Sequence, residues 1–304
     1  MRILVLGAGG IGGYFGGRLV ENGKDVSFLV RSGRKQQLEK NGLVIRSVNG
    51  DFSFTPKLLT KTDAAAPFDV VLFSTKAYHL EEAINDLKPF IGEKTVIIPL
   101  LNGVDHLSSL KQACGHDKVI GGLCFIETTL NEDGEIVQTS TADRLVFGEI
   151  EQSDTDRIRQ IADTFSGTKA NFVLSDHIEQ DIWHKYLFIA VFSGVTTLMR
   201  APIGPIRESE GGQEFIRHLL EEIEQIMRAC GAPIAENIVE EHMQTIQNLS
   251  YDMKSSMLRD MEKGLFIEGE HLQGYLLKEA KEFDVDAPLL KIVYQNLKVY
   301  EEML

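Results

Sequence analysis

One lysine inside an apolar helical run is the residue of this sequence whose surroundings could make it an acid catalyst. Lys185 follows Trp183 and precedes the apolar run 186–189. An ammonium group that is partly buried gives up its proton more readily than one in water. Such a lysine could protonate the alkoxide that forms when a hydride reaches a carbonyl carbon. The alternative interpretation is a structural lysine whose ammonium group extends past the apolar face to solvent.

A glycine-rich turn near the N-terminus predicts a dinucleotide site. The apolar run Ile3–Leu6 is typical of a buried parallel strand, and Tyr14–Val20 continues as a helix. The turn between them is Gly7-Ala8-Gly9-Gly10-Ile11-Gly12. Its first glycine permits the tight turn, a second lets the backbone approach a pyrophosphate, and the last lets the helix pack on the strand. The helix N-terminus adds unpaired N–H groups for the phosphates. The alternative is a glycine turn that binds nothing.

The residues after two later strands favour a phosphate-bearing cofactor, NADP(H). In NAD-selective sites an acidic residue ends the second strand and accepts hydrogen bonds from the adenosine ribose. Here the predicted strand Val26–Val30 ends at Arg31, whose guanidinium would pair with a 2′-phosphate. Lys76 follows the predicted strand Val70–Ser74 and could reach the same phosphate. The alternative is a solvated basic loop at the start of a helix.

The pattern of apolar runs predicts an α/β fold of two domains. Strand-like and helical runs alternate as far as about Ser175, as in a parallel sheet covered on both faces. From Asp176 onward the runs have helical spacing. We therefore expect an N-terminal Rossmann-type doubly wound sheet, residues 1–175, that binds NADP. An all-helical C-terminal domain, residues 176–304, would hold the substrate and the catalytic residues.

The same runs predict the individual elements. Beyond the first strand, the predicted strands are Val26–Val30, Val70–Ser74, Val96–Pro99, Val119–Phe125, Ile136–Thr139, Leu145–Phe147 and Phe172–Leu174, with a hairpin of Leu43–Ser47 and Phe52–Thr55 joined near Asn49-Gly50. The predicted later helices are Leu80–Lys88, Val104–Ala113, Asp156–Phe165, a long one from Asp176 through Leu198, one along the stripe from Phe215 to Met227, then Glu236–Asn248, Ser255–Glu262, Glu268–Phe283 and a last from Pro288.

Composition argues against several classes of function. The 304 residues are 43% hydrophobic and 25% charged, as in an ordinary soluble protein. A net charge of −14 argues against a nucleic-acid or anionic-membrane surface. The sequence shows neither an export signal nor an uninterrupted apolar stretch of about 18 residues, and its cysteines lack C-x-x-C spacing. We expect a cytoplasmic protein with reduced thiols. Nor do His184, Glu179 and Asp181 form a convincing metal set.

Six motifs in their order resemble those of the ketopantoate reductases, which reduce ketopantoate to pantoate with NADPH on the route to pantothenate and coenzyme A. The resemblance spans essentially the whole chain. Each motif is common alone, but together in this order they are specific. They are the turn Gly7–Gly12, Arg31, Ser74-Thr75-Lys76-Ala77, Leu100-Leu101-Asn102-Gly103-Val104, Trp183-x-Lys185, and Ser255-Ser256-Met257-Leu258 with Glu268 twelve residues after Ser256.

The resemblance implies a role for each matched residue. Lys185 matches the family's proton donor, and Glu268 matches the acidic residue near the lysine and the cofactor. Asn102 matches the asparagine near the nicotinamide and the carbonyl, and Ser256 matches a contact for the substrate carboxylate. The reaction needs no metal ion. The residues that the resemblance assigns to the cofactor are Gly7, Ala8, Gly9, Gly10, Ile11, Gly12, Arg31, Lys76, Asn102 and Glu268.

Three positions depart from the resemblance. Where the pantoate-forming enzymes carry asparagines, this chain has Ile189, Ser193 and Ile203. A buried polar substrate loses roughly 1–3 kcal/mol for each missing hydrogen-bond partner, which is enough to change the preferred substrate. We keep Ser193 as a candidate substrate contact and expect a pocket more apolar than the family's. A slip of alignment in this helix, or compensation by other side chains, is the alternative.

The sequence leaves three hypotheses of function open. The leading one is an NADPH-dependent reductase of a small 2-oxo acid, with ketopantoate as the first substrate to test. A dehydrogenase of the β-hydroxy acid or 6-phosphogluconate type shares the architecture, but Ile189 stands where its lysine–asparagine pair needs an amide. The third is a catalytically silent NADPH-binding sensor. A monomer and a homodimer both fit the sequence.

Overall fold

The computed structural model describes residues 1–151 and 154–304 and divides them into two compact units. The N-terminal unit comprises residues 1–101 and 106–178, and the helical unit comprises residues 102–105 and 179–304. The short segment 102–105 thus belongs with the helices although strands and helices of the other unit flank it in sequence. The assignment of one unit to the cofactor and of the other to the substrate stays a prediction.

The N-terminal unit contains the strands and five of the α-helices of the described residues. The strands are β1 Arg2–Leu6, β2 Asp25–Leu29, β3 Leu43–Ser47, β4 Phe52–Phe54, β5 Lys57–Leu59, β6 Val70–Phe73, β7 Val96–Pro99, β8 Gly121–Leu130, β9 Ile136–Gly148 and β10 Asn171–Leu174. The helices are α1 Gly10–Glu21, α2 Ser32–Asn41, α3 Leu80–Leu87, α4 Asp105–Cys114 and α5 Asp156–Phe165, with 3₁₀ turns at Ala77–His79, Lys88–Phe90 and His116–Lys118.

The central sheet of this unit is parallel and has the strand order β5-β2-β1-β6-β7. Alternate residues of β1 enter separate cores: Ile3 and Val5 pack in one hydrophobic cluster, and Leu4 and Leu6 in the other. A strand that is buried on both faces reads as a continuous apolar run rather than an alternating one. The predicted fold class, a Rossmann-type doubly wound sheet followed by helices, is confirmed. The edge strand β5 was not predicted, since Lys57–Leu59 has only three residues and begins with a lysine.

A second sheet has the order β10-β9-β3-β4, with β8 paired to β9. The predicted hairpin of β3 and β4 is confirmed. The prediction of two separate strands at 136–139 and 145–147 is wrong, because β9 runs unbroken through the polar stretch between them. Antiparallel pairing with β8 holds β9 on both sides of an irregularity, which lies between the pairs Ile126–Asp143 and Thr128–Gln138. The apolar pattern carries no sign of that pairing.

A buried arginine on α1 joins several parts of the N-terminal unit. Arg18 is fully buried and donates to Glu21 and to the carbonyl oxygen of Gly50, each at 2.7 Å. Lys169 also pairs with Glu21. Burial acts to raise the pKa of Glu21, but hydrogen bonds from Lys169 and Arg18 hold that pKa below its ordinary value. The sequence analysis assigned Arg18 no role, because an arginine on an amphipathic helix is usually exposed.

We expect Arg18→Met to lower the free energy of unfolding by about 3 kcal/mol. The substitution removes one partner of a buried charge pair and leaves the Gly50 carbonyl without its donor. Arg159→Met is the matched control, because the ion pairs of Arg159 in the described part of the chain are with exposed carboxylates, and its loss should change the free energy of unfolding much less. Urea-induced unfolding followed by circular dichroism measures both. Equal losses of unfolding free energy in the two variants would show that the buried network around Arg18 adds nothing to stability.

The helical unit is built around one long apolar helix. The helices are α6 Ile178–Met199, α7 Ile203–Glu208, α8 Gly212–Ala229, α9 Ile238–Asn248, α10 Ser256–Glu262, α11 Tyr275–Glu282 and α12 Pro288–Glu302, with a π-helical turn at Glu270–Gly274. By length and composition α6 could cross a membrane, yet two thirds of its apolar window is buried inside the protein, as in a core helix. The predicted stripe of α8 is confirmed, since Ile216, Leu219, Leu220 and Ile223 have no exposed surface.

Two features of this unit differ from the predicted helices. Helix α7 was not predicted, because proline residues at 202 and 205 interrupt the apolar pattern there. The predicted helix Glu268–Phe283 begins instead with the π-helical turn and continues as α11. Single π-helical turns within helices are often found at functional sites.

Candidate active site

The glycine turn has the geometry that a bound dinucleotide needs. Gly7 has φ +97°, a conformation that favours glycine. A Cβ atom on Gly12 would lie 2.0 Å from Ser74 Oγ and 2.2 Å from the Gly7 oxygen, so no side chain fits there. At Gly9, by contrast, nothing lies within 4 Å of the Cβ position. The space at Gly9 and the N-terminus of α1, which begins at Gly10, fit a pyrophosphate.

Strand pairing brings the two predicted cations to the edge of the sheet that carries this turn. The turn follows β1, Arg31 follows β2, and Lys76 lies three residues beyond β6. Leu6 at the end of β1 pairs with Leu29 of β2 on one side and with Phe73 of β6 on the other. The carboxyl ends of these three neighbouring strands therefore meet at one edge, which is where open α/β sheets bind ligands.

Arg34 also belongs to this edge. Its Nε donates to the carbonyl oxygen of Ala8 at 3.2 Å, and its Nη1 donates to the carbonyl oxygen of Gly134 at 3.0 Å. Arg34 thereby ties the glycine turn to the loop between β8 and β9. The sequence analysis assigned it no role, although its position one helical turn after Arg31 is a signal that could have been used.

In the helical unit the structure brings together two of the predicted catalytic-site residues. Lys185 lies in α6, is only 7% exposed, and donates from Nζ to Asn102 Oδ1 at 2.9 Å. A buried ammonium group is costly unless it has an oxygen partner. The Asn102 amide oxygen is such a partner. The arrangement is therefore suited to hold a proton at a defined position.

A histidine that the sequence analysis missed holds Asn102 from the other side. His271 Nε2 donates to the backbone oxygen of Asn102 at 2.9 Å, and its Nδ1 lies 3.7 Å from Asp105 Oδ2. His271 is in the π-helical turn, three residues after Glu268. That spacing, one helical turn from an assigned residue, is the available sequence signal. The imidazole thus holds the backbone of Asn102, whose side chain accepts the hydrogen bond from Lys185.

The three positions that lack asparagine have different surroundings. Ile203 has no exposed surface and is part of the core. Ser193 is 2% exposed; its Oγ donates to the Ile189 carbonyl at 2.6 Å and accepts from Gln273 Nε2 at 3.2 Å. Ile189 keeps part of its surface exposed and lies one helical turn after Lys185. Of the three, Ile189 is thus the side chain on the lysine's helical face that a ligand could contact.

The remaining predicted residues lie on separate elements of the helical unit. Ser256 is exposed and begins α10, while its neighbour Ser255 caps that helix by accepting from the Leu258 N–H at 3.1 Å. Glu268 is half-buried and lies two residues before the start of the π-helical turn at Glu270. Within residues 1–151 and 154–304, no three His, Cys, Asp or Glu side chains are grouped as metal ligands. The roles that the resemblance implies for Ser256 and Glu268 stay predictions.

Two partly buried histidines near the lysine have lowered pKa values. His242 Nε2 donates to the His184 carbonyl at 2.8 Å, and His184 Nε2 accepts from the Ala235 N–H at 3.0 Å. Burial lowers the pKa of His242 to about 4, although its bond to the His184 carbonyl acts in the opposite direction. Burial lowers the pKa of His184 as well. Burial of the His184 ring thus works against a positive charge on the residue next to Lys185.

Two family models match most of the chain. The model described as Ketopantoate reductase PanE/ApbA matches residues 3–152, and the model of the C-terminal part of the same family matches residues 177–301. The chain belongs to the ketopantoate reductase family. The resemblance predicted from the six motifs is confirmed, and the protein is an oxidoreductase of this family.

Individual relatives and solved structures of the same fold cover nearly the whole chain. Uncharacterized oxidoreductase YkpB of Bacillus subtilis is 50% identical over 301 residues, 99% of each chain. The crystal structure of 2-dehydropantoate 2-reductase from Geobacter metallireducens is 26% identical, with a TM-score of 0.88 over 98% of this chain and 99% of that one. The structure of D-mandelate dehydrogenase with NADH and anilino(oxo)acetate shares the fold at 18% identity, with a TM-score of 0.90 over 100% and 99% of the two chains.

We expect the stability of the helical unit to fall as the pH drops from about 6.5 to about 4. The folded state keeps His242 neutral, so the unfolded chain binds the proton first, and stability present above pH 6.5 is lost below it. The loss is roughly 2–3 kcal/mol. His242→Gln, which retains a donor for the His184 carbonyl, should flatten the profile of melting temperature against pH. The same change at exposed His218 is the control, and an equal flattening there would contradict the prediction.

Proposed function

We propose that this oxidoreductase reduces a small 2-oxo acid to the 2-hydroxy acid with NADPH. The first substrate to test is 2-dehydropantoate, whose reduction to pantoate is a step of pantothenate and coenzyme A biosynthesis. The observation that carries the proposal is the bond from buried Lys185 Nζ to Asn102 Oδ1, in a chain that begins with a dinucleotide-type glycine turn. The Geobacter metallireducens relative is a 2-dehydropantoate 2-reductase by name.

The cofactor assignment rests on the edge of the parallel sheet. Residues Gly7 to Gly12 would hold the pyrophosphate, and Arg31 and Lys76 would hold the 2′-phosphate of NADPH. The reduced nicotinamide, when bound, supplies the hydride. The D-mandelate dehydrogenase of the same fold holds NADH, which supports the class of cofactor.

Lys185 would donate the proton that completes the reduction. As the carbonyl carbon gains a hydride its oxygen becomes an alkoxide, and a proton from Nζ converts that oxygen to the product hydroxyl. Lys185 then regains a proton from solvent. Asn102 Oδ1 orients the ammonium group, and His271 holds the Asn102 backbone in place. The negative charge of Glu268 would keep the lysine protonated against the cost of burial.

The substrate carboxylate would bind at a different element. Ser256 is exposed at the start of α10, so its hydroxyl is accessible to an anionic group. Ser193 is a weaker candidate than its place in the motif implies, because its hydroxyl already has two protein partners. We assign Ser256 to the carboxylate and leave Ser193 as a support of Ile189 and Gln273.

We expect Lys185→Ala to lower kcat by roughly 10²–10⁴-fold while the Kd for NADPH changes less than twofold. The lysine acts on the substrate oxygen and lies in the helical unit, whereas the cofactor residues of the sheet edge are unchanged. Lys254→Ala is the matched control, because Lys254 is a partly exposed lysine of the same unit that pairs with Glu262, and this variant should keep full turnover. Stopped-flow oxidation of NADPH and fluorescence titration measure the two quantities. Full turnover by the Lys185 variant would remove it as proton donor.

A catalytically silent NADPH-binding sensor is the hypothesis that this enzyme assay excludes or supports. If wild-type protein binds NADPH but oxidises it with none of a panel of branched 2-oxo acids, the enzymatic proposal fails. If the protein is a sensor, Lys185→Ala should leave its behaviour almost unchanged. If it is an oxidoreductase, the Lys185 variant should lose turnover and the Lys254 variant should keep it.

A second candidate substrate is a more apolar 2-oxo acid, and Ile189 favours it. Its partly exposed side chain stands one turn from Lys185, where the pantoate-forming enzymes carry an amide. An apolar side chain there gains from contact with an alkyl or aryl group and leaves a substrate hydroxyl unpaired. The D-mandelate dehydrogenase shows that the fold accommodates an oxidoreductase of an aryl-substituted acid.

We expect Ile189→Asn to raise kcat/KM for 2-dehydropantoate about tenfold relative to that for 2-oxoisocaproate. The amide supplies a partner for the substrate hydroxyl, worth about 1–3 kcal/mol. Ile292→Asn, on an exposed part of α12, is the matched control and should leave the ratio unchanged. Steady-state assays with both substrates give the ratio. If the ratio does not move in the Ile189 variant, this position does not choose the substrate.

We also propose that the protein acts in the cytoplasm on small molecules, as a monomer or homodimer, with neither a nucleic acid nor a membrane as partner. The support is its net charge of −14, which repels polyanions and anionic lipid. Light scattering of the purified protein at micromolar concentration distinguishes monomer from dimer.

A further inference from the structure

The guanidinium that would take the cofactor phosphate already has protein partners. Arg31 Nη2 forms an ion pair with Glu82, and Arg31 Nη1 lies 3.4 Å from His79 Nε2. The side chains of Arg31 and Glu82 are 55% and 50% exposed. An ion pair with this much exposure contributes little to stability, so an incoming ligand can open it. A ligand that binds Arg31 would nevertheless lie close to the Glu82 carboxylate.

Glu82 lies on the element that follows one of the strands of the cofactor edge. It is in the first turn of α3, which follows β6 and the 3₁₀ turn that contains His79. Arg31 directly precedes α2, which follows β2. The pair therefore spans the carboxyl ends of β2 and β6, across the strand that leads into the glycine turn.

The two forms of nicotinamide cofactor differ at the group that this pair would meet. NADPH carries a 2′-phosphate, which Arg31 attracts and a carboxylate repels. NADH carries a 2′-hydroxyl, which can donate a hydrogen bond to a carboxylate. Charges of opposite sign at similar distances from the phosphate act in opposite directions, so Glu82 opposes a large part of the attraction of Arg31.

We propose that Glu82 is a specificity-determining residue that weakens the preference of this protein for NADPH over NADH. The inference rests on the proposed cofactor site. Arg31 favours the 2′-phosphate, whereas Glu82 screens Arg31, repels the phosphate and accepts a hydrogen bond from the 2′-hydroxyl. Wild-type protein should accordingly bind NADPH and NADH with affinities within about tenfold of each other.

Binding of two nucleotide fragments tests this proposal without turnover. 2′,5′-ADP carries the 2′-phosphate, and 5′-AMP carries the 2′-hydroxyl. Glu82→Gln keeps the size of the side chain and removes its charge. By isothermal titration calorimetry, we expect the variant to bind 2′,5′-ADP about five to tenfold more tightly and 5′-AMP no more tightly than wild type. The variant should likewise bind NADPH more tightly than wild type does and bind NADH no more tightly.

Glu81→Gln is the matched control. Glu81 is an exposed neighbour of Glu82 in the same helical turn, and its replacement by Gln changes the net charge by the same amount. In the described part of the chain, however, Arg31 pairs with Glu82 and not with Glu81. Its ratio of the two affinities should stay within twofold of wild type. Equal ratios in the Glu81 and Glu82 variants, or an unchanged ratio in the Glu82 variant, would overturn the proposal.

An Arg31→Met variant separates this proposal from the cofactor assignment beneath it. If Arg31 takes the phosphate, the variant binds 2′,5′-ADP more than tenfold less tightly than wild type and binds 5′-AMP about equally. If wild type binds neither fragment nor either cofactor, the proposed function itself fails. If wild type binds both but Arg31→Met has no effect, the phosphate is held elsewhere and the role of Glu82 falls with it.

Discussion

A buried ammonium group needs an oxygen partner, and the helical unit is organised around that requirement. Lys185 lies in the apolar helix α6, where water is largely excluded, and its partner is the amide oxygen of Asn102. Asn102 in turn depends on His271, which binds its backbone oxygen from the π-helical turn. Gln273 of the same turn donates to the Ala190 carbonyl of α6. The lysine, the segment that pairs with it and the turn that holds the segment therefore form one hydrogen-bonded set.

The N-terminal unit meets a different constraint, which is the register of a parallel sheet. Its central strand is apolar on both faces, so helices must cover both sides and the polar residues are confined to the strand ends. Because β1 lies between β2 and β6, residues that are distant in sequence reach one edge. That edge gathers the glycine turn with Arg31 and Lys76, and it also brings Glu82 to Arg31. The same topology thus places Glu82 beside the cation that we propose for the cofactor phosphate.

The three positions without asparagine show why a substitution cannot be interpreted from its type alone. All three looked like losses of substrate contacts in the sequence. In the fold, Ile203 fills the core, Ser193 bonds to its own helix and to Gln273, and Ile189 alone of the three combines partial exposure with the lysine's face of α6. A change of polarity at a core position alters packing, whereas the same change beside Lys185 alters what a ligand meets.

The sequence by itself determined the family, the class of fold and most of the elements, because continuous apolar runs, glycine spacing and helical stripes are local patterns. It also indicated Lys185, Asn102 and the cofactor edge, since these residues lie within contiguous motifs. Only the tertiary structure decided the order of the strands, the single long β9 and the buried Arg18, which depend on pairing between distant segments. It also decided the partners of the functional groups: His271 behind Asn102, Arg34 on the glycine turn and Glu82 on Arg31. Hydrogen bonds and ion pairs depend on distances in space, and residues 169 positions apart, as Asn102 and His271 are, leave no local pattern that reports them.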